Sequence, residues 1–283
     1  MDARIDLHAH STASDGSVPP AELPAVALDA GLAALALTDH DTVSGHAACA
    51  EACAVVGVEF VPGIELSCNR GKPRGAMHVL GFFVDAASAK LEAVIDDLAA
   101  ARSERAPMIV DRLNALGLPL SLDEVEVEAA GASIGRPHIA AAMQRKGFVD
   151  SVADGFSRYL GHGKPAYVRK DNLDTERAID AIHDAGGLAV LAHPVQLRCA
   201  DADELEQVVR RLVDQGLDGL EVYHSDHDPR RRAEYAAIAE RFGLLATGGS
   251  DYHGNRKPIA LGSQPVPYDL LAALKASRAD PRP

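Results

Sequence analysis

Five times along this chain a short apolar run ends on a histidine or a carboxylate: Asp6-Leu7-His8-Ala9-His10, Thr38-Asp39-His40-Asp41, Gly63-Ile64-Glu65, Ala192-His193-Pro194 and Gly249-Ser250-Asp251-Tyr252-His253. Side chains alternate along an extended segment, so His8 and His10 share one face while Leu7 and Ala9 take the other. Alone, such a pair reads equally well as two surface histidines at a strand end. Repeated after successive runs, the pattern needs either five coincidences or one cause. Ligands carried at the carboxyl ends of parallel strands converge on one mouth of a barrel. His78 stands apart because it sits near the start of its apolar run, so its strand is expected to run antiparallel or to deliver its ligand differently.

Between these points, β-branched or leucine-rich runs alternate with alanine-rich helical segments, as in strands joined by crossover helices. The expected strands are Arg4–Leu7, Ala33–Leu37, Glu59–Val61, Met77–Val84, Leu188–Ala192, Gly219–Tyr223 and Leu244–Thr247, with helices near 21–30, 43–56, 174–185, 203–215 and 229–241. The fold class is α/β, with strands enough for a small barrel. Residues 88–170 break the alternation with a long helix near 88–116, a polar stretch, and shorter helices near 137–146 and 151–160. They read as a helical insertion, a substrate cap, in a barrel formed by residues 1–87 and 171–283. A chain of 283 residues can bury a core of that size. No run of about 18 uncharged apolar positions marks a membrane span, and the chain opens on strand-like residues, so a cytoplasmic protein is expected.

Imidazole and carboxylate donors without thiolate suit zinc, manganese or iron, and the many oxygen ligands set the cluster apart from sulfur-rich structural zinc sites. Two cations roughly 3.5–4 Å apart clamp the attacking and leaving oxygens of an in-line phosphoryl displacement. The set therefore points to catalysis, with Glu65 as the shared carboxylate. Cys49, Cys53, Cys68 and Cys199 lack paired knuckle spacing and read as reduced packing residues. His46, His162, His183 and His227 have no partner at ligand spacing and read as helix-surface or loop residues, and Gly248-Gly249 as a tight turn. A net charge of −13 argues against wrapping long nucleic acid, since the overall field repels phosphate. The acidity is uneven: between Arg136 and Lys170 seven Lys/Arg stand against two Asp.

In order, the segments DLHAHSTASDG, LTDHDT, PGIELS, HVLGF, LAHP and GSDYHG resemble the motifs of the polymerase and histidinol phosphatase (PHP) domain superfamily, over nearly the whole chain. The resemblance implies a distorted seven-stranded (β/α)7 barrel with a trinuclear metal site. Carried over position by position, His8, His10, Glu65 and Asp251 would hold one ion, Glu65, His78 and His193 a second, and Asp15, His40 and His253 a third. Two or three divalent ions are implied, manganese foremost, with zinc, iron or magnesium as alternatives. Glu65, His193, Asp251 and His224 are the expected catalytic residues.

The insertion narrows the resemblance. Gly135-Arg136-Pro137-His138-Ile139-Ala140, Tyr159-Leu160-Gly161 and Lys164-Pro165-Ala166-Tyr167-Val168 are similar to a subgroup that acts on nucleotides. This implies removal of the 3'-phosphate from nucleoside 3',5'-bisphosphates such as pAp by a metal-activated hydroxide. The alternatives are 5'-to-3' degradation of short oligonucleotides and, in a different class, a metal-binding module without catalysis. Arg136, at an expected helix start, would hold substrate phosphate together with free backbone N–H groups. Lys164 and Lys170 either supplement that charge or form a solvated basic face. His224, which closes the strand 219–223, would contact phosphate or protonate the leaving group. The expected partner is a small nucleotide or short oligonucleotide, with no long duplex, membrane or obligate protein partner.

Overall fold

The computed structural model describes residues 3–69, 75–131, 134–168 and 173–279. Strands β1 (Arg4–Ala9), β2 (Leu32–Leu37) and β3 (Glu59–Cys68) are parallel neighbours. β4 (Met77–Phe82) runs antiparallel between β3 and β5 (Leu188–Leu191), and β5, β6 (Gly219–Tyr223) and β7 (Leu245–Gly248) are parallel again. A two-residue strand, β8 (Val266–Pro267), pairs antiparallel with β1 and makes the eighth strand in the order β7-β6-β5-β4-β3-β2-β1-β8. Such a short strand leaves no periodicity to read, so the sequence pointed to seven.

β3 runs on well past its expected end at Val61. Pro62 and Gly63 look like a terminator, but they mark a change of partner. Residues Glu59–Pro62 pair with β2, and Gly63–Cys68 pair with β4. Glu65 therefore sits within a strand, beyond the last paired residue of β2. The reversed β4 also explains His78: an antiparallel strand presents its first residues at the mouth where its neighbours present their last, and His78 lies opposite Ser67.

Just beyond β7 the chain pairs with β1 and brings the sheet round on itself. The Asp251 amide donates to the His8 carbonyl at 2.9 Å, and the His10 amide to the Tyr252 carbonyl at 2.9 Å. The approach is close enough that a Cβ on Gly249 would lie 2.3 Å from the His8 nitrogen, and one on Gly248 2.4 Å from the Tyr223 Cβ. The paired glycines thus serve barrel closure, which side chains would block.

Helices α1 (Leu23–Asp29) and α2 (His46–Val56) connect the first three strands. After β4 the chain leaves the barrel through α3 (Ala89–Ala115), α4 (Leu122–Ala129), α5 (Arg136–Arg145) and α6 (Val152–Gly155), which continues as a π-helical turn over Phe156–Leu160. It returns in α7 (Thr175–Asp184), and α8 (Ala202–Asp214), α9 (Pro229–Phe242) and α10 (Tyr268–Ala279) complete the chain. The boundaries follow local chemistry. Asp174, Asp201 and Asp228 cap α7, α8 and α9 by accepting backbone N–H groups, and Gly57 and Gly243 end α2 and α9 in left-handed conformation. On α8 the buried residues Leu205, Val209 and Leu212 recur at helical spacing, which fixes the face laid on the sheet.

Residues 88–170 contain a core of their own, in which Ile109, Leu113, Val125, Ile139, Met143 and Leu160 pack together. α3 is shared between the two cores. Leu91, Val94 and Leu98 belong to the barrel cluster, Ile109 to Leu113 to the other, and Pro107 lies in the helix just before the second group. Among the described residues, Arg102 ion-pairs with Asp41 and the His138 ring bonds to the Ser14 backbone, which ties this region to the barrel mouth. Among the described residues, no helix is long and apolar enough to cross a membrane.

Candidate metal centre

The strand ends deliver the site. His8 lies in β1 and His10 just beyond it, and His40, immediately past β2, forms a parallel bridge to Glu65. Asp41, His193 and Asp251 hold left-handed backbone, with φ of 52°, 26° and 59°. Residues other than glycine seldom adopt that conformation, at a cost on the order of 1–3 kcal/mol each, so the surrounding fold must enforce it. All three stand where the chain turns sharply at the mouth.

Glu65 is the hub. Its Oε1 lies 2.6 Å from His78 Nδ1 and 2.8 Å from His193 Nε2, and its Oε2 lies 3.0 Å from His40 Nδ1, 3.2 Å from His10 Nε2 and 3.4 Å from His8 Nε2. Asp251 faces the same space: its Oδ1 is 3.3 Å from His10 Nε2 and 3.6 Å from His8 Nε2, and its Oδ2 is 2.6 Å from Lys257 Nζ. Asp15 closes the far side, with Oδ1 3.3 Å from His253 Nε2 and Oδ2 3.9 Å from His40 Nε2. All nine sequence-expected ligands, His8, His10, Asp15, His40, Glu65, His78, His193, Asp251 and His253, thus lie within one cluster.

Donor groups of three or four with mutually close ligand atoms are His10, Asp15, His40 and His253; His8, His10 and Glu65; His40, Glu65 and His78; and His8, Glu221 and His224. Protein partners leave much of this cluster unsatisfied. His8 Nε2, both ring nitrogens of His10, Asp15 Oδ1, His40 Nδ1, Glu65 Oε2 and His224 Nε2 are buried with no hydrogen-bond partner among the described residues. Each such group costs roughly 1–3 kcal/mol when left unpaired. Cations placed among these lone pairs would satisfy imidazole nitrogens and carboxylate oxygens together, so the donor set fits divalent metal.

The electrostatics favour that fit. Burial alone would push the Glu65 carboxyl up, but His40, His78 and His8 hold it well below the ordinary carboxylate range. Burial works the same way on Asp15 and Asp251 and is outweighed by His253 and His40 for the first and by Lys257 and His253 for the second. All three stay ionised. Burial pulls His40 down to about 3, so its nitrogens stay free to ligate, while His10, though buried, is lifted to about 9 by Asp251 and Glu65 and holds a proton that a bound cation would displace.

Glu221 was not legible as a site residue. It is fully buried in β6, where its Oε1 lies 2.9 Å from His8 Nδ1 and its Oε2 accepts the His193 amide at 2.6 Å. A carboxylate on the far nitrogen of a ligating imidazole fixes tautomer and ring orientation. The available signal was one charged residue in the apolar strand Gly219–Tyr223. Lys257 was missed too, since a lysine in a surface-like GNRK stretch carries no sign that it reaches Asp251.

The histidines outside the ligand set divide. His162 is exposed, and His183 pairs with Asp218 at 2.8 Å. His46 and His227 are buried instead of lying on a surface, because each finds a backbone carbonyl: Gly63 at 2.7 Å for His46 and Val222 at 2.9 Å for His227. His138 is buried, and its Nδ1 accepts the Gly135 amide at 3.1 Å, capping α5. The four cysteines are reduced, three of them buried.

The substrate-side residues are placed as follows. His224 is fully buried on the floor of the cluster, its Nε2 3.5 Å from Asp251 Oδ2. Arg136 opens α5, with its guanidinium 5.4 Å from the Phe156 ring centre and 5.7 Å from that of Tyr167. Lys164 is exposed in the turn that follows the π-helical segment and makes no ion pair among the described residues. Lys170 lies outside the described residues.

Comparison with known proteins agrees with this geometry. A PHP domain family model matches residues 6–214. A 5'-3' exoribonuclease of Haemophilus influenzae is 36% identical over 257 residues, which cover 89% of this chain and 91% of the relative. A 3',5'-nucleoside bisphosphate phosphatase of Chromobacterium violaceum is 35% identical over 252 residues, covering 89% of this chain and 87% of the relative. Among solved structures, a protein of Bifidobacterium adolescentis provisionally described as a metal-dependent phosphoesterase superposes with a TM-score of 0.89 at 31% identity, over 97% of this chain and 96% of that one.

Proposed function

This chain belongs to the PHP domain family, and on that premise we propose that it is a metal-dependent phosphoesterase removing the 3'-phosphate of nucleoside 3',5'-bisphosphates such as pAp. The observation that carries this reading is the set of buried, unpartnered nitrogens and carboxylate oxygens gathered around Glu65 at a strand-end mouth. His8, His10, Glu65 and Asp251 would hold one ion, Glu65, His78 and His193 a second, and Asp15, His40 and His253 a third. Two or three ions fit these donors, manganese foremost. Bound there, they supply Lewis-acid polarisation of a phosphoryl oxygen and a nucleophilic water at neutral pH.

The chain's own groups do the rest. Glu65 and Asp251, both ionised, keep the centre anionic, and Glu221 holds His8 in register through its Nδ1. His193 carries its ligating nitrogen toward Glu65, its backbone tied to Glu221. His224 Nε2, without a hydrogen-bond partner among the described residues, is the proton donor for the leaving 3'-oxygen. Residues 88–170 act as the cap, with Arg136 holding substrate phosphate and Lys164 adding charge, while Lys170 lies outside the described residues.

A second reading, 5'-to-3' removal of nucleotides from short oligonucleotides, is favoured by the similarity to the Haemophilus influenzae exoribonuclease. The manganese-loaded protein is given pAp and, separately, a 5'-phosphorylated pentaribonucleotide. Phosphate release from pAp with the pentamer left intact is the expected result. Mononucleotide release from the pentamer would transfer the assignment to the second reading, and inertness toward both would reject the pair.

A further inference from the structure

Asp251 presents its two oxygens to different company. Oδ1 meets the ligand rings, 3.3 Å from His10 Nε2, 3.4 Å from His253 Nδ1 and 3.6 Å from His8 Nε2. Oδ2 lies 2.6 Å from Lys257 Nζ and 3.5 Å from His224 Nε2. His224 Nδ1 accepts the Asp226 amide at 3.0 Å, so in the neutral ring the proton stands on Nε2, and both neighbours of Oδ2 are hydrogen donors. Among the described residues, Asp15 and Glu65 ion-pair only with histidines. Of the three ligand carboxylates, Asp251 is thus the one that carries a lysine.

A built turn delivers that lysine. Gly254–Arg256 form a single 3-10 turn, tied to the mouth by Ser17, whose hydroxyl accepts the Asn255 amide at 2.9 Å and whose own amide donates to the His253 carbonyl at 3.2 Å. Gly254 is left-handed, with φ of 67°, and a Cβ there would stand 2.0 Å from Ser17 Oγ, so glycine is what lets the turn dock. Lys257 follows directly, part-buried, with its ammonium on Asp251.

Such a contact has a sign. A carboxylate behind a ligand strengthens it as a donor, as Glu221 does for His8. An ammonium does the reverse: it draws charge out of Asp251 and repels a cation held on the other oxygen. With Oδ2 engaged by two donors, Oδ1 is left to ligate.

We propose that Lys257 is a positioning residue that makes Asp251 a one-oxygen ligand and loosens the ion shared with His8 and His10, opposing Glu221, so that this ion is held less tightly and stays a stronger Lewis acid. The proposal rests on the metal centre of the phosphoesterase reading above and adds a residue outside its ligand set.

Metal-free wild type, Lys257→Met and Lys257→Arg are titrated with manganese, the free ion being followed by electron paramagnetic resonance, and the three are compared again on the Asp251→Asn background. Lys257→Met should bind one ion roughly 10-fold more tightly, the partial exposure of the pair limiting the gain, while Lys257→Arg, which keeps the charge, should stay near wild type. On the Asp251→Asn background Lys257→Met should shift affinity by less than about 3-fold. Unchanged or weaker binding in Lys257→Met overturns the proposal. So does equal tightening on the Asp251→Asn background, which would reduce the lysine to a general field. Wild type that binds no manganese rejects the metal centre itself and the proposal with it, whereas wild type that binds while Lys257→Met merely matches it rejects the proposal alone. Should Lys257→Met fail to fold, Lys257→Gln carries the same comparison.

Discussion

At the barrel mouth, five imidazoles crowd Glu65 within 3.4 Å, and carboxylates of Asp15 and Asp251 close the ring. In residues 88–170, by contrast, charge sits around a separate apolar core, and Arg102, which faces the mouth, is already paired with Asp41. The first region mixes both signs at close quarters and is short of only a cation. The second is balanced, with eleven Lys/Arg and eleven Asp/Glu, and its basic residues concentrate from Arg136 to Lys170. A metallo-phosphoesterase needs both: fixed metals to act on one phosphate, and a looser cationic wall to decide which molecule brings it.

The hardest test of this division is Glu65→Ala, which should lower hydrolysis by at least about 10³-fold and reduce bound manganese, measured by turnover and by elemental analysis of the folded protein. Arg136→Ala should lower kcat/KM by roughly 10- to 100-fold with metal content intact. If it stripped the metal as well, the two regions would not be separable.

Acid probes the mouth from another side. Burial, despite a hydrogen bond to the Val222 carbonyl, holds His227 down at about 4 against 6.5 for an ordinary histidine. The unfolded chain takes up this proton first, so the stabilisation is full above pH 6.5 and is lost as pH falls from 6.5 through 4, on the order of 3 kcal/mol. Urea midpoints of metal-free protein at pH 7 and 4.5 should converge in His227→Gln; an unaltered gap would place the acid sensitivity elsewhere. Glu221→Gln should weaken manganese binding about 10-fold or somewhat more. The smallest effect belongs to the insertion. Ser121 caps α4 in a reciprocal arrangement with Glu124, and Ser121→Ala should cost about 1 kcal/mol in chemical denaturation while turnover is unaltered.

The sequence spoke clearly where one residue type did one job. Ligands closing apolar runs announced the mouth, and the off-pattern His78 marked its strand as reversed or its ligand as differently delivered, of which the first holds. It was silent where a residue's job depended on a distant neighbour. Glu221 reads as an oddity in a buried strand until His8 is folded against it, and Arg102 reads as the wet side of a long helix until Asp41 comes to meet it. α4, only eight residues long, passed for a polar stretch, and α10 follows a strand too short to signal a new unit.

The left-handed turns at His193 and Asp251 carry a consequence for the chain's history. Glycine at either position would relax the backbone, so variants sorted by heat resistance alone should drift toward it. Each such gain would erase a ligand. A lineage freed from the need to turn over substrate would become harder to melt as it lost its chemistry, and a histidine and an aspartate kept at these two codons are the mark of a protein still at work.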